Sequence, residues 1–493
     1  MKPESEAMAD SRGAWVLVLG SVVVAGVLFA PLPVKDSPPT VAKWLELGHL
    51  GSVLALALVA AGFWGFRRRF WPRDPREYRS LQNSMFLVVL QAVLLRAAVE
   101  LGQLAGSETW AWWPRESWLL MPWFLASGLA VILLGGRFGM LLSLSGVFLL
   151  YLRDDPGPLL LVGCLVSSLA GILLLRRSPT RRRVLRAGTG AGLLLGIIAA
   201  GQALAAGATL QVMAVVALTP VLIGLGAAVA VLILLPVMEW VLGELSDVTL
   251  IEYGSDHQLL DQLKEHAPGT WHHTLNVADL AEKAAATIGA RALFCRTAAF
   301  FHDIGKLKNP SIFAENIDGP SPHDQLDPRA SAQQIIEHVS HGLELARKHR
   351  LPRAFRDIIA EHHGVSLVRF FYARACEQLA EGEDAEALRQ LFSYPGPPPS
   401  TRESGIIALA DTLEAATRSL GAKPEAELRD FVGKLIAERV AEGELAQCPL
   451  TLAELARVQE SFCGWLKARQ HRRPTYPKAT AQPATATPMD ART

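Results

Sequence analysis

The stretch FHDIGK, Phe301 to Lys306, sets a histidine beside an aspartate at the end of an apolar run, RALFCRTAAFF, with a glycine and a lysine just behind. Helical spacing predicts that the run is buried. Two adjacent polar groups at its end are then either solvated helix-end residues or metal ligands. The rest of the chain has to decide between them.

Working outward, the 493 residues are half hydrophobic and carry a formal net charge of only +1, so the composition fits neither a basic nucleic-acid binder nor a disordered tail protein. The residues are unevenly spread. Of 13 histidines only His49 precedes residue 250, whereas the long apolar runs all lie before about residue 243. Two physically different halves therefore meet near Leu242. The five cysteines, Cys164, Cys295, Cys376, Cys448 and Cys463, form no CxxC pair, which argues against a disulfide framework or a thiolate zinc site.

A run of about 18 apolar residues is long enough to cross the hydrocarbon of a bilayer as a helix. Eight candidates occur, at about 14–32, 47–66, 83–102, 117–135, 138–152, 157–175, 187–206 and 210–237, the fifth being short. The Arg-rich stretches FRRRFWPRDPREYR (66–79) and RRSPTRRRVLR (176–186) are expected as inside loops. With residues 1–13 inside, eight crossings satisfy both and return the second half to the cytoplasm. The Trp-rich ETWAWWPRESW (108–118) then falls outside, at an interfacial belt. The leader-like alternative for the first run is disfavoured by three carboxylates in MKPESEAMADSRG. Arg96 and Glu100 share one face of the third span and read as a mutually satisfied pair or, less readily, as a ligand site.

From Leu245 onward the apolar spacing is that of amphipathic helices. HHTLNVADLAEKAAATIG, RALFCRTAAFF, PRASAQQIIEHVSHGLELARKH, PRAFRDIIAEHH, ESGIIALADTLEAATRSL, EAELRDFVGKLIAERV and TLAELARVQESFCGWLKARQ all show it, and no stretch alternates long enough for a strand. The fold class is therefore all-α: a polytopic membrane bundle (14–242) followed by a cytoplasmic helical domain (243–471). SYPGPPPSTRES (393–404) reads as a rigid loop, and 472–493 as a disordered tail.

In the helical domain the candidate ligands are His272 and His273, His302 and Asp303, His338, His362 and His363, and Asp411, spread over separate predicted helices. A lone histidine on such a helix is usually a satisfied core or surface residue. The joint pattern is harder to explain that way. Imidazoles with carboxylates suit divalent Fe, Mn, Co or Zn. Some seven donors exceed the needs of one ion with an open position, so two ions are expected, with Asp303 as the obvious bridge. Lys306 is expected to point from the same helix end toward a bound phosphate.

The segments APGTWHHTLNVADLAE, AAFFHDIGKLKNPSIFAENI, EHVSHGLELARKHRLP, IIAEHHG and YPGPPPSTRESGIIALADTLEAA resemble the HD-domain phosphohydrolases. More narrowly they are similar to the PgpH-type seven-transmembrane HD phosphodiesterases, which hydrolyse cyclic di-AMP. The resemblance is dense from about Leu245 to Leu420 and looser over the membrane half. It implies His273, His302, Asp303 and Asp411 as ligands of one ion, and Asp303, His338, His362 and His363 as ligands of the other. Spacing alone leaves His272 and His273 open; the resemblance favours His273 and makes His272 a group that supports the ligands or faces the substrate. It further implies iron or manganese, attack by a metal-bound hydroxide, and the linear product pApA.

The chain departs from that family's plan. Only about 15 residues, Pro31 to Leu45, separate the first two spans where the family carries a large extracellular domain. Input is therefore expected through the bundle, a partner subunit or the linker from Trp240 to Tyr253. Trp271 stands where a tyrosine is expected, which bears on base stacking. The leading reading is a plasma-membrane phosphodiesterase with a cyclic dinucleotide as substrate, the bilayer as surroundings, no nucleic acid polymer as partner, and a homodimer left open. The alternatives are the same chemistry on another nucleotide, and a nucleotide-binding membrane receptor without turnover.

Overall fold

The computed structural model describes residues 75–105, 120–154, 158–175, 179–378, 384–418 and 423–470. The chain divides into two compact units, Met1–Thr249 and Leu250–Thr493. Among the described residues the regular structure is helical, apart from one isolated bridge between Leu367 and Ser393.

In the first unit six helices follow one another: α1 (Pro75–Ala105), α2 (Leu120–Leu134), α3 (Gly136–Asp154), α4 (Pro158–Leu175), α5 (Arg181–Ala205) and α6 (Leu210–Leu242). They coincide with the last six expected spans. The first two spans, residues 1–13, the Trp-rich loop and the tail at 472–493 lie outside the described residues. By length and apolarity α5 and α6 are each sufficient to cross a membrane, while α1 to α4 contain shorter apolar stretches. The expected loop at 176–186 is corrected, because Thr180 caps α5 and its three following arginines are helical. Glycines spaced four apart allow α5 and α6 to pack backbone to backbone. A Cβ on Gly188, Gly192 or Gly196 would meet the carbonyls of Gly224, Pro220 and Ala217 respectively. Small-residue seams of this kind let helix backbones approach closely.

The linker helix α7 (Asp247–Ser255) leads to the second unit, built from α8 (Gln258–His266), α9 (Pro268–Thr287), α10 (Ala292–Ala299), α11 (Pro328–Lys348), α12 (Arg353–Glu361), α13 (Arg369–Cys376), α14 (Ala385–Leu391), α15 (Arg402–Thr417), α16 (Glu425–Ala441) and α17 (Leu452–Gln470). Helix α9 is central and packs on α10, α15 and α17. Its buried face is Val277, Ala278, Leu280, Ala281, Ala284 and Ala285, whose small side chains permit close approach. Pro268 starts it, since the missing N–H costs nothing at a first helical position. A reciprocal cap between Thr401 and Ser404 starts α15, and Asp327 caps α11. The seven amphipathic segments all became helices; α7, α8, α13 and α14, of seven to nine residues, carry too few turns for a clear period.

FHDIGK is not a helix end. Helix α10 stops at Ala299, residues 301–303 form a turn, and a 3₁₀ turn, η1 (Ile304–Lys308), follows. The glycine explains why: a side chain on Gly305 would collide with the His338 carbonyl and Gly342 nitrogen of α11. The turn thus lies directly on α11, which sets Asp303 beside His338. Gly305→Ala is expected to cost about 1–3 kcal/mol through overpacking. Thermal unfolding of the purified chain checks this, and an unchanged midpoint would show that the approach is not needed.

Candidate metal centre

The seven expected ligands reach the centre from five separate elements. His273 lies on α9, His302 and Asp303 in the turn after α10, His338 on α11, His362 and His363 at the end of α12, and Asp411 on α15. They fall into two groups of converging donor atoms: Asp303, His338, His362 and His363, and His273, His302 and Asp411. His272 is exposed, one residue around the helix from His273, and stands outside both groups of donors.

The orientation of Asp303 is the informative detail. Its Oδ1 faces His338 Nε2 at 3.4 Å and His362 Nε2 at 3.7 Å. Its Oδ2 faces His302 Nε2 at 3.2 Å and His273 Nε2 at 3.4 Å. One carboxylate oxygen thus serves each group. Asp411 completes the second, with Oδ1 at 2.9 Å from His273 Nε2.

The rings are turned inward by their outer nitrogens. His302, His338 and His362 each donate Nδ1–H to the carbonyl three residues earlier, Ala299, Ile335 and Ile359, at 2.6, 2.6 and 2.9 Å. His273 donates its own to Glu414 Oε2 at 2.5 Å. This fixes each ring's orientation and turns Nε2 to the inner side, where it offers a lone pair once deprotonated, the usual arrangement behind a metal-bound imidazole. Four inward atoms, His273 Nε2, His302 Nε2 and both Asp303 oxygens, are buried without a hydrogen bond. Lys306 Nζ lies 2.8 Å from Asp303 Oδ2 but outside a hydrogen-bonding direction. The His338 and His362 Nε2 atoms are 3.3 Å apart, and two lone pairs that close repel unless a cation stands between them. These donors fit two divalent ions.

Around them lie Lys306 and three residues that spacing did not single out, Glu315, Arg418 and Glu414. Lys306 is buried between Asp303 and Glu315, its Nζ 2.7 Å from Glu315 Oε1, so it neutralises the carboxylate rather than standing free for a phosphate. Arg418 bridges Glu315 at 3.0 Å and Glu414 at 3.1 Å. Glu414 had a legible signal, being one turn after Asp411 on the same face. Glu315, in a 3₁₀ turn remote in sequence, had none. Trp271 packs on Phe300 at 5.9 Å under Lys264 Nζ, and makes no contact with the ligand rings among its recorded partners.

Burial favours neutral groups throughout, yet the two groups differ in charge. Asp303 is held well below the usual carboxylate range: burial opposes this but is outweighed by His302 and Lys306. His302 is pushed up to about 9, because Asp303 overcomes the cost of burying the cation. His362 is pushed down to about 3, by burial and then by charged His302. Glu315 falls to about 2, since Lys306 and Arg418 outweigh its burial.

An ion entering beside His302 must therefore displace a proton. Because the folded value of about 9 exceeds an unfolded value near 6.5, protonation stabilises the metal-free fold fully below about pH 6.5, and that contribution is lost as pH rises to about 9. Mn(II) affinity is expected to rise across the same window with proton release. Calorimetric titrations in buffers of different ionisation enthalpy check this, and a flat profile would show His302 to be neutral beforehand. Glu414→Gln removes the anion behind His273 and should weaken one ion by about 10–100-fold, read by the same titration.

Two family models match the chain: the HD domain over residues 270–416, and the 7TM receptor with intracellular HD hydrolase over residues 47–246. The cyclic-di-AMP phosphodiesterase PgpH of Bacillus subtilis is 33% identical over 320 residues, covering 64% of this chain and 44% of that protein. PgpH of Listeria monocytogenes is 29% identical over 433 residues, covering 86% of this chain and 58% of that protein. The chain thus spans about half the length of these relatives. A crystal structure of the L. monocytogenes PgpH HD domain in complex with cyclic-di-AMP is 34% identical, covers 44% of this chain and 99% of that one, and gives a TM-score of 0.41. The chain thus matches a 7TM-receptor region followed by an HD domain, and is similar over both to the PgpH proteins.

Proposed function

We propose that the chain is a membrane-anchored, two-metal phosphodiesterase that hydrolyses cyclic di-AMP to pApA. The observation that carries the chemistry is Asp303, whose two oxygens each face a separate pair of ring nitrogens and make no hydrogen bond. Two divalent ions held there would supply a nucleophile from water at neutral pH and clamp the phosphodiester in line with it. The donor set, imidazole and carboxylate without thiolate, suits Fe or Mn. We assign His273, His302, Asp303 and Asp411 to one ion and Asp303, His338, His362 and His363 to the other. Glu414 orients His273, and Lys306 with Glu315 balances the charge of the bridging carboxylate. Cyclic di-AMP as substrate rests on the relatives' activity, because two ions bind a phosphate without reading a purine.

Membrane anchoring is supported by the outward surface of the first unit. Leu173, Leu193, Ile197, Leu218 and Ile233 are all exposed on α4, α5 and α6, where water would disfavour them and lipid would not. Eight crossings with both chain ends inside, and the second unit in the cytoplasm, satisfy the basic stretches.

The full chain in detergent, supplied with Mn(II) or with Fe(II) under reducing conditions, is expected to convert cyclic di-AMP to pApA, read by chromatography against other cyclic and linear nucleotides. Asp303→Ala should lose turnover together with bound metal. Preference for another nucleotide would reassign the substrate. A metal-loaded chain inert toward all of them would contradict the proposal.

A further inference from the structure

The five ligand histidines are not held alike. Four have the outer nitrogen fixed to an oxygen: a carbonyl for His302, His338 and His362, and Glu414 for His273. His363 has no such oxygen among its recorded contacts. Its Nδ1 lies 3.5 Å from Asp411 Oδ2, too far for a firm hydrogen bond, and its side chain is 22% exposed where the others are almost wholly enclosed. Something else must set the plane of that ring.

Tyr394 is in place to do so. Its ring is stacked on His363 with centroids 4.2 Å apart and an interplanar angle of 27°, and its edge contact with His338 is at 5.9 Å. The tyrosine itself is firmly located. Its N–H donates to Ser366 O at 2.9 Å, and Ser366 N–H donates back to His363 O at 3.0 Å, so ring and target hang on one hydrogen-bonded loop. Val368 N–H to Phe392 O at 2.8 Å closes the other side. Farther along, Glu361 on α12 takes Ser400 N–H and Oγ–H at 2.9 and 2.7 Å, and Gly364, with φ of 54°, lets the chain pass close to Pro398 and Pro399. The Pro-rich loop is thus clamped to the very turn that carries His362 and His363. Tyr394 does not belong to the adjoining apolar cluster of Ala332, Phe371, Ala375, Leu388 and Phe392, which is packed without it.

We propose that Tyr394 is a positioning residue for His363, holding the imidazole in its ligand orientation by stacking where the other four rings use a hydrogen bond. The proposal rests on the two-metal reading above. Stacked aromatic rings favour a defined offset geometry, so the tyrosine restricts rotation of the ring about its last torsion and keeps one nitrogen turned to the ion. The phenol group is not required for this, and the ring is.

The test is a Mn(II) titration of the full chain, counting ions and their affinities. The wild type should take up two. Tyr394→Phe keeps the stack and should bind both ions within about threefold of wild type. Tyr394→Leu keeps apolar volume but removes the stack; it should weaken one ion by about 10–100-fold and leave the other unchanged. Added to His363→Ala, the same Leu substitution should cost nothing further, because it acts through a ring already gone. Four results would overturn the proposal: full affinity in Tyr394→Leu, equal loss in Tyr394→Phe, an additive loss in the double variant, or an unfolded Tyr394→Leu chain, which would make the ring a core element. A wild-type chain that takes up fewer than two ions would instead overturn the two-metal reading on which this one stands.

Discussion

The buried carboxylate of Asp303 is the constraint around which the second unit is arranged. An isolated ionised carboxylate at 1% exposure is very costly, and a pair alone rarely recovers that cost. Here the compensation is distributed. Lys306 sits against Asp303, Glu315 holds Lys306, Arg418 holds Glu315 and Glu414, and Glu414 holds His273, which faces Asp303 again. The charges alternate around a closed circuit. Each member is satisfied by the next, so the carboxylate is kept ionised in a place that would otherwise protonate it. Its inward oxygens are left for cations.

The fold serves that arrangement in a simple way. Separate helices each bring one or two donors, and three of the histidines orient themselves on the carbonyl three residues earlier in their own backbone. Such a donor needs no partner from elsewhere in the chain, so it is built as soon as its helix or turn forms. The tertiary structure then has only to bring the ends together. Gly305 and Gly342 do this for the turn and α11, and the capped start of α15 does it for Asp411.

Much of this was legible in the sequence, and what was not has a physical reason. The candidate ligands came as HH, HD, H, HH and D on predicted helices because metal chemistry restricts residue type, and the structure brings seven of them into two groups that could hold metal. Amphipathic spacing found the long helices and the short α10 and α12 but missed α7, α8, α13 and α14, and took FHDIGK for a helix end because spacing is blind to the collision that Gly305 avoids. Lys306 was read from its neighbour Asp303 alone. Its second partner, Glu315, is held at the start of α9 through Thr270, a contact no local pattern encodes. Tyr394 was hidden in a loop whose prolines dominated the reading. The helices of the first unit were legible as apolar length, whereas the glycine seam between α5 and α6 shows only once the helices are side by side.

The account stands on one carboxylate shared by two ions. The most direct measurement is the electron paramagnetic resonance of the Mn(II)-loaded chain, which reads the exchange coupling between neighbouring ions. Two ions about 3.5–4 Å apart, coupled through a common bridge, are the predicted result. The spectrum of magnetically isolated Mn(II) from a chain loaded with two ions would contradict it.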